Sequence, residues 1–504
     1  MKSASRLLLA ALLAGLALRL CLLLAPTASF ATKVLEPTGD SPEYVRLAGN
    51  IVHGHGFSQD SMPPYRPDVL RTPVYPMFLA LPLAVLGSSL VWPLLLQLLL
   101  SLATIWLTRR LALELGLAPA AASLAALLVA LSPNLVFYSI KLTTETLSAL
   151  LLLTTLLLIN RFRVLHRWQE HAASGICCGL LILTRPIAVF LPLLLAICIL
   201  WLRIMKVATP GGKQGLSRAE SDASAPRDCH SFSAIQGTVL GTSPAFVRNW
   251  RLAIGNSVLF LACTSLVVLP WVIRNRHAGG KYTISTAFDY NICEYSGALT
   301  LAADRLISVD DARDSLAARA QARFGPLDTN AQVSYWASMA KAGRQQISAR
   351  PLLAVKIHAA GSAGGLLMPL SVRSLRVFAG ANPQTDTTGE RHVAQRTVQF
   401  VARGRIGQAL ALIWRDRLAS MPAPAVGILL CAVLFHATLL IAFAIGVFLR
   451  RSRRLLWLLL PILYFVLSTG PVGEARFRVP IEPLLCIIAA VALTRPHQAQ
   501  TKSQ

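Results

Sequence analysis

Apolar runs of membrane-spanning length recur along this 504-residue chain, and they constrain its fold more than any other feature. Clear examples cover residues 7–26, 91–108, 118–136, 252–272 and 424–449. A helix of roughly 20 apolar residues crosses the hydrocarbon core of a bilayer. Only 14% of the residues are charged, against about 25% in a soluble domain. Because backbone polar groups must be paired within each segment in lipid, we predict an all-α polytopic membrane protein with about ten transmembrane helices, within a range of roughly eight to twelve.

The basic residues are distributed as in a membrane protein, although the net charge of +25 could suggest a nucleic-acid partner. They cluster between apolar runs, as Arg109-Arg110 and Arg161 do, and the positive-inside rule expects such clusters in cytoplasmic segments. Others are expected to face anionic lipid headgroups. We therefore predict membrane lipids as partners and no nucleic acid. Because many spans follow, we interpret residues 7–26 as an uncleaved first span with a cytoplasmic N-terminus.

Alternation between apolar and polar segments predicts the organisation of the chain. Residues 1–204 are predicted to form an N-terminal transmembrane module that includes an external loop, 27–72, with juxtamembrane helices. Residues 205–250 are predicted to be a partly disordered cytoplasmic loop, because Gly, Ser and Ala are frequent there. The remaining predicted segments are a span at 251–272, an extracytoplasmic segment at 273–422 with an interfacial helix at 351–370, C-terminal spans at 423–495 and a tail at 496–504.

Cysteine and histidine residues give little indication of a structural metal site. Most of the nine cysteines lie in apolar runs, where a free thiol behaves as a small hydrophobe. Only Cys293 falls in a clear external segment, and no CxxC pair is present, so we predict neither a disulfide framework nor a zinc site. His53 and His55 could ligate a metal, but an ordinary loop is the simpler interpretation.

The stretch Asp40-Ser41-Pro42-Glu43-Tyr44 follows the first span closely and has the pattern of a helix start. A proline early in the first turn and an acidic residue three positions after a capping residue both favour this interpretation. Asp40 could be an N-cap, a general base, or both. As the helix continues, Glu43 and Tyr44 share one face with Asp40.

A second acidic residue, Glu145, is predicted at the outer rim of the membrane within Lys141-Leu142-Thr143-Thr144-Glu145. One interpretation is local, with Thr143 capping the next helix and Glu145 placed favourably in its first turn. The other is functional, with Glu145 facing Asp40 across the external side. Two carboxylates there could position an acceptor or hold a divalent metal, and metal dependence remains open.

Several arginines are predicted on the external side, against the usual charge bias. Arginine binds phosphate through a bidentate fork, so these residues are candidate phosphate ligands. Arg476 and Arg478 precede a helix opened by Pro480, and helix N-termini attract anions. The alternative is snorkelling to lipid phosphates. The set comprises Arg71, Arg185, Arg274, Arg276, Arg476 and Arg478.

The motifs, taken in order, resemble those of C-fold glycosyltransferases, in particular bacterial relatives of protein O-mannosyltransferases and aminoarabinose transferases. The matching stretches are Gly39-Asp40 to Tyr44, Gly54 to Ser58, Arg71-x-Pro73-x-Tyr75-Pro76, Thr143-Thr144-Glu145, Leu183 to Pro186, Pro270-Trp271-x-x-Arg274-Asn275 and Arg476-Phe477-Arg478-x-Pro480. The resemblance departs from the family at Ser41, where some members carry an acidic residue, and at Glu145, where Asp is frequent.

The resemblance implies a polyprenyl-phosphate sugar donor and an active site that opens to the outside. Asp40 would deprotonate the acceptor, with Glu145 as the second catalytic carboxylate. Arg71, Arg185, Arg274, Arg476 and Arg478 would bind the donor phosphate, and Glu43, Tyr44 and Tyr75 would contact substrate.

These expectations combine into one predicted function and one alternative. We predict an integral membrane glycosyltransferase that transfers a hexosyl or pentosyl group to a lipid, glycan or protein acceptor, at the outer face of a bacterial inner membrane. The alternative is a transporter or flippase of lipid-linked sugars. A transporter should place its ionisable residues near the middle of the membrane, whereas here they cluster at the outer rim.

Overall fold

The computed structural model describes residues 2–26, 28–35, 40–165, 168–207, 244–325, 331–371, 375, 387–415, 419, 421, 423–449 and 453–494. The regular elements in these ranges are helices. Most of the predicted cytoplasmic loop 205–250 and the whole predicted tail 496–504 lie outside the described residues.

The N-terminal half contains ten helices within the described ranges. They are α1 (Lys2–Leu24), α2 (Phe30–Val34), α3 (Ser41–Val52), α4 (Val74–Leu86), α5 (Val91–Glu114), α6 (Pro119–Leu131), α7 (Pro133–Ser139), α8 (Glu145–Leu165), α9 (Trp168–Thr184) and α10 (Leu191–Val207).

The C-terminal half begins with the long helix α11 (Pro244–Gly279). The later helices are α12 (Ala287–Asn291), α13 (Ala298–Arg305), α14 (Val309–Phe324), α15 (Gln332–Ala349), α16 (Pro351–Leu367), α17 (Thr387–Ala402), α18 (Ile406–Ile413), α19 (Ala423–Leu449), α20 (Arg453–Leu456), α21 (Leu459–Thr469) and α22 (Glu482–Leu493). A π-helical turn covers Ile292–Gly297, and 3₁₀ turns cover Pro186–Ala188, Gly470–Val472 and Ala475–Arg478.

Four helices in the described ranges are long and apolar enough to cross a membrane. They are the segments Ser5–Leu24, Val91–Glu114, Arg251–Gly279 and Ala425–Phe448. The bent pair α6 and α7, with 56° between its two parts, would make a fifth. Five shorter apolar helices accompany them. The prediction of an all-α membrane protein is confirmed, while the number of about ten crossings stays a prediction.

The membrane bundle has one continuous apolar core. Helix α8 packs on α5 and α9, and α11 packs on α9 and α10. Helix α22 packs between α6 and α19, and its residues from Leu484 to Ala490 are almost completely buried. An apolar run buried on all sides is typical of the centre of a bundle.

The break between α9 and α10 follows from its sequence. Arg185 adopts an extended conformation, with φ −138° and ψ 106°. The following Pro186 disfavours a helical conformation at Arg185 and has no N–H to continue the helical ladder. The apolar run 172–203 is therefore divided into two helices at this point, and the Arg185 side chain lies at a helix end.

A second, smaller core joins the helices between Ala287 and Leu367. Its buried members include Leu299, Leu316 and Met339. Gly297 of the π-helical turn lies against Gly343 of α15, where a Cβ would come within 2.7 Å of the opposite backbone. Helix α16, which corresponds to the predicted interfacial helix 351–370, packs on the 3₁₀ turns at 470–478. These contacts connect the second core to the turn that carries Arg476.

Candidate active site

Asp40 lies at the N-cap position of α3, but its carboxylate makes no side-chain capping hydrogen bond. Its Oδ1 instead accepts a hydrogen bond of 2.7 Å from Nη2 of Arg71. Its Oδ2 accepts one of 2.6 Å from Nη2 of Arg476. The helix start therefore positions Asp40, and the carboxylate itself is held between two guanidinium groups.

Arg71 approaches Asp40 from the end of the loop between α3 and α4. Its Nε donates to Oε2 of Glu43 at 2.7 Å, and its guanidinium lies 5.3 Å from the ring centre of Tyr44. Its backbone N–H donates to Oδ2 of Asp68, a residue that sequence reasoning did not single out. The predicted helical face of Asp40, Glu43 and Tyr44 thus surrounds one arginine.

Arg476 joins the two carboxylates that were predicted to face each other. It lies on the 3₁₀ turn Ala475–Arg478, 436 residues after Asp40 in the sequence. Its Nε lies 3.7 Å from Oε1 of Glu145 and 3.5 Å from Oε2 of Glu474. The guanidinium is 5.1 Å from the ring centre of Phe477. Asp40 and Glu145 therefore meet through a shared arginine.

Glu145 is the deepest charged group of the site. Nη1 of Arg185 donates to its Oε1 at 3.0 Å, and the two side chains are 6% and 1% exposed for Arg185 and Glu145, respectively. Glu145 opens α8, where the positive end of the helix favours a carboxylate. Arg185 also covers the ring of Phe477 at 4.9 Å. Among the described residues, the Thr143 hydroxyl has no hydrogen-bond partner, so the predicted Thr143 cap is not formed by its side chain.

Two tyrosines, Tyr44 and Tyr75, pack next to these charged side chains. The rings of Tyr44 and Tyr75 meet edge to face at 5.1 Å. The Tyr75 hydroxyl donates to Oε1 of Gln97 at 2.8 Å, and Nε2 of Gln97 donates to the carbonyls of Ser139 and Lys141. Tyr75 is completely buried, so it supports the site from below. Gln97 was missed, although a lone amide in an apolar run was a signal for it.

Arg274 lies apart from this cluster. Its Nη1 donates to the backbone carbonyl of Asp68, and Nη2 donates to that of Phe57 at 3.3 Å. Its guanidinium stacks over Trp271 at 4.7 Å. The structure thus places Arg274 where it holds the loop between α3 and α4 that carries Arg71, and not beside Asp40.

Arg478 also differs from its predicted position, because it points away from Asp40 into the protein. Its Nε donates to Oε2 of Glu482 at 3.2 Å, and both side chains are buried. Its remaining hydrogen bonds go to backbone carbonyls at and after the end of α16, namely those of Gly365, Leu366, Met368 and Pro369. Cations favour helix C-termini. Of the pair Arg476 and Arg478, only Arg476 therefore reaches the cluster.

Glu482 extends the contacts of Arg478 to the break between α6 and α7. It accepts hydrogen bonds from the Ser132 hydroxyl and from Nδ2 of Asn134, the latter at 2.8 Å. Nδ2 of Asn134 also donates to the carbonyl of Ala475. This buried network fixes the turn on which Arg476 is carried.

The charges of the cluster determine its protonation. Burial alone would raise the pKa of Asp40, but the nearby charges of Arg476 and Arg71 and their hydrogen bonds hold that pKa well below its usual range. Burial raises the pKa of Tyr44 to about 12. Asp40 is therefore ionised and Tyr44 neutral at neutral pH. In the described ranges no group of three or more His, Cys, Asp or Glu side chains is placed to hold a metal ion.

Comparison with protein families gives a match over part of the chain. A family model described as dolichyl-phosphate-mannose-protein mannosyltransferase matches residues 70–212. The match includes four of the site residues that the sequence predicted: Arg71, Tyr75, Glu145 and Arg185. It confirms the resemblance to C-fold glycosyltransferases.

Among solved structures, the chain is similar to the oligosaccharyltransferase AglB of the archaeon Archaeoglobus fulgidus in complex with an inhibitory peptide and a dolichol-phosphate. The TM-score is 0.48 at 12% identity, over 97% of this chain and 50% of that one. For the same organism's oligosaccharyltransferase in the apo form, the TM-score is 0.46 at 14% identity, over 96% and 50% of the two chains. The chain thus spans about half the length of these structures. No curated protein matches it.

Proposed function

We propose that this protein is an integral membrane glycosyltransferase that takes a sugar from a polyprenyl-phosphate donor. The acceptor is a lipid, glycan or protein at the outer face of a bacterial inner membrane, and the site opens toward the periplasm. The observation that carries the proposal is Asp40 held directly between Arg71 and Arg476. The family match over residues 70–212 supports the same class of reaction.

In the proposed reaction, the acceptor hydroxyl oxygen attacks the anomeric carbon of the donor sugar. The bond between that carbon and the phosphate oxygen breaks, and the polyprenyl phosphate leaves with both electrons of the bond. Asp40 takes the proton of the acceptor hydroxyl and later releases it to solvent. General-base assistance of this kind typically contributes about 10²–10⁴-fold to the rate.

Arg71 and Arg476 stabilise the negative charge that develops on the leaving phosphate. A guanidinium matches the geometry of phosphate oxygens and stays charged at every relevant pH. Its effect is largest in a site from which water is largely excluded, and the side chains of both arginines are less than one-fifth exposed. Arg185 lies deeper in the protein than Arg71 and Arg476, because it pairs with the buried carboxylate of Glu145.

Glu145 takes a supporting role in this proposal. With 1% of its side chain exposed, it has no surface for an acceptor, so we assign it to orienting Arg185 and Arg476. Glu43 orients Arg71 in the same way through Nε. Asp40 remains the carboxylate that acts on the acceptor, and Tyr44 lines the site beside Arg71.

The test is sugar transfer by the purified Asp40→Asn protein in lipid nanodiscs, with a panel of labelled polyprenyl-phosphate sugars. We expect a loss of about 10²–10⁴-fold. Asp60→Asn is the matched control, because Asp60 belongs to the same external loop but pairs with Arg66 away from the cluster. Wild-type turnover in Asp40→Asn would rule out the mechanism. ATP- or gradient-driven lipid movement without transfer would favour a flippase.

A further inference from the structure

Arg71 and Arg476 bind Asp40 through the equivalent nitrogen atom of their guanidinium groups. Each donates from Nη2, at 2.7 and 2.6 Å, and each takes a different carboxylate oxygen. Each also turns its Nε toward another carboxylate: Glu43 for Arg71, and Glu145 and Glu474 for Arg476. The two arginines approach from opposite ends of the sequence and converge on Asp40.

This arrangement is a two-sided clamp for an anion with two equivalent oxygens. A phosphate offers non-bridging oxygens that accept the same hydrogen bonds as a carboxylate. A phosphate that bridged both Nη2 atoms would need the positions that the two Asp40 oxygens now occupy. Glu43 and Glu145 each touch one edge of the clamp and would not have to move.

Charge balance leads to the same conclusion. Arg71, Arg185 and Arg476 are matched by Asp40, Glu43 and Glu145. An entering phosphate adds negative charge to a cluster that is already neutral, and Glu474 adds more at its rim. Like charges at this distance repel strongly where water is excluded, so one carboxylate must give up its arginines. Asp40 is the carboxylate that binds both arginines, and its side chain is 23% exposed.

We propose that in the donor-free protein Asp40 occupies the phosphate position of a clamp made by Arg71 and Arg476, and that donor binding displaces it. The identity of the phosphate as that of a polyprenyl donor rests on the proposed function above. Displacement releases the carboxylate beside the reacting sugar, where it takes the acceptor proton. After transfer, Asp40 loses its proton to solvent, and the carboxylate then competes with the product phosphate for the same Nη2 atoms and promotes its release.

The test is equilibrium binding of a short-chain polyprenyl phosphate without sugar to the purified full-length protein in detergent. Asp40→Asn removes the charge that competes for the clamp, so we expect its affinity to exceed that of the wild type by roughly tenfold. Glu474→Gln is the matched control. It removes one negative charge beside Arg476, at a half-exposed position, but leaves Asp40 in the clamp, so its gain should be much smaller.

Three results would overturn the inference: no gain in Asp40→Asn, an equal gain in Glu474→Gln, or no binding of polyprenyl phosphate to either protein. Failure of the proposed function is seen separately in the transfer assay. Lost transfer with unchanged phosphate affinity in Asp40→Asn would leave Asp40 as the base and reject the displacement. Full transfer in Asp40→Asn would reject the function whatever the affinity.

Discussion

Arg185 and Glu145 form an ion pair of 3.0 Å that is almost completely withdrawn from solvent. Such a pair contributes little net stability relative to apolar residues of the same volume, but removing one partner leaves a buried charge that costs about 3–5 kcal/mol. Single and double substitutions of this pair can therefore separate the cost of an unpaired buried charge from the contribution of the pair itself.

We expect Arg185→Met to lower the free energy of unfolding by roughly 3 kcal/mol, because Glu145 keeps only the more distant Arg476. Arg185→Met combined with Glu145→Gln should recover much of that loss. Thermal unfolding of the purified protein in detergent measures both effects. Arg110→Met, which breaks a half-exposed pair with Glu114, should change stability by less than about 1 kcal/mol. Equal melting temperatures for Arg185→Met and Arg110→Met would contradict this.

Arg476 and Arg478 should respond oppositely to the same substitution. Lysine has no planar fork, so Arg478→Lys would leave Glu482 and the carbonyls at the end of α16 poorly satisfied. We expect a clear drop in melting temperature for Arg478→Lys. Arg476→Lys should keep its stability and lose roughly tenfold in affinity for polyprenyl phosphate. The reverse pattern would return the phosphate role to Arg478.

This contrast shows what the sequence could not determine. Arg476 and Arg478 belong to one motif, and both were expected on the external side. The 3₁₀ turn sends one side chain to Asp40 and the other to the end of α16. Neither periodicity nor motif order distinguishes residues two positions apart when the turn type depends on tertiary contacts.

Other features of the site were accessible from the sequence. Apolar runs and their basic flanks predicted helical spans, and polar segments between them predicted where Asp40, Arg71 and Glu145 would lie. Which arginine reaches Asp40 from the far end of the chain was not predictable, because Arg476 lies 436 residues after Asp40. Glu482 meets Ser132 and Asn134 across about 350 residues, and no local pattern records such a contact.

The contact between α16 and the turn at 470–472 should be sensitive to a single methyl group. A Cβ at Gly361 would lie 2.6 Å from Cα of Pro471, with the carbonyl of Gly470 closer still. We expect Gly361→Ala to cost about 1–3 kcal/mol of stability, and to weaken phosphate binding because that turn leads to Arg476. Thermal unfolding and the phosphate-binding assay measure the two effects.

Gly364 provides the control on the same helix. A Cβ there would meet nothing closer than 3.6 Å, and alanine favours a helix over glycine by up to about 1 kcal/mol. Gly364→Ala should therefore be neutral or slightly stabilising. If both alanine variants behave alike, the close approach of α16 to the turn is not a constraint on the site.

The pH dependence of sugar transfer should differ between the free and the donor-bound protein. In the free protein, Arg476 and Arg71 hold the pKa of Asp40 well below its usual range, although burial opposes them. A displaced Asp40 loses those partners, so its pKa rises on donor binding. Activity falls as pH decreases through the pKa of the base, because a protonated carboxyl cannot accept a proton. The acid limb of kcat/KM reports the free protein, and that of kcat reports the complex.

We therefore expect the acid limb of kcat to lie at higher pH than that of kcat/KM, and donor binding to take up protons as the pH is lowered. Steady-state transfer measured from neutral pH down to the lowest pH at which the protein stays folded, at saturating acceptor, checks the order of the two limbs. Asp60→Asn should keep both limbs, because Asp60 is in contact with Arg66 and not with the cluster. Coincident limbs in the wild type would mean that Asp40 keeps its arginines throughout the reaction, and the displacement would then be rejected.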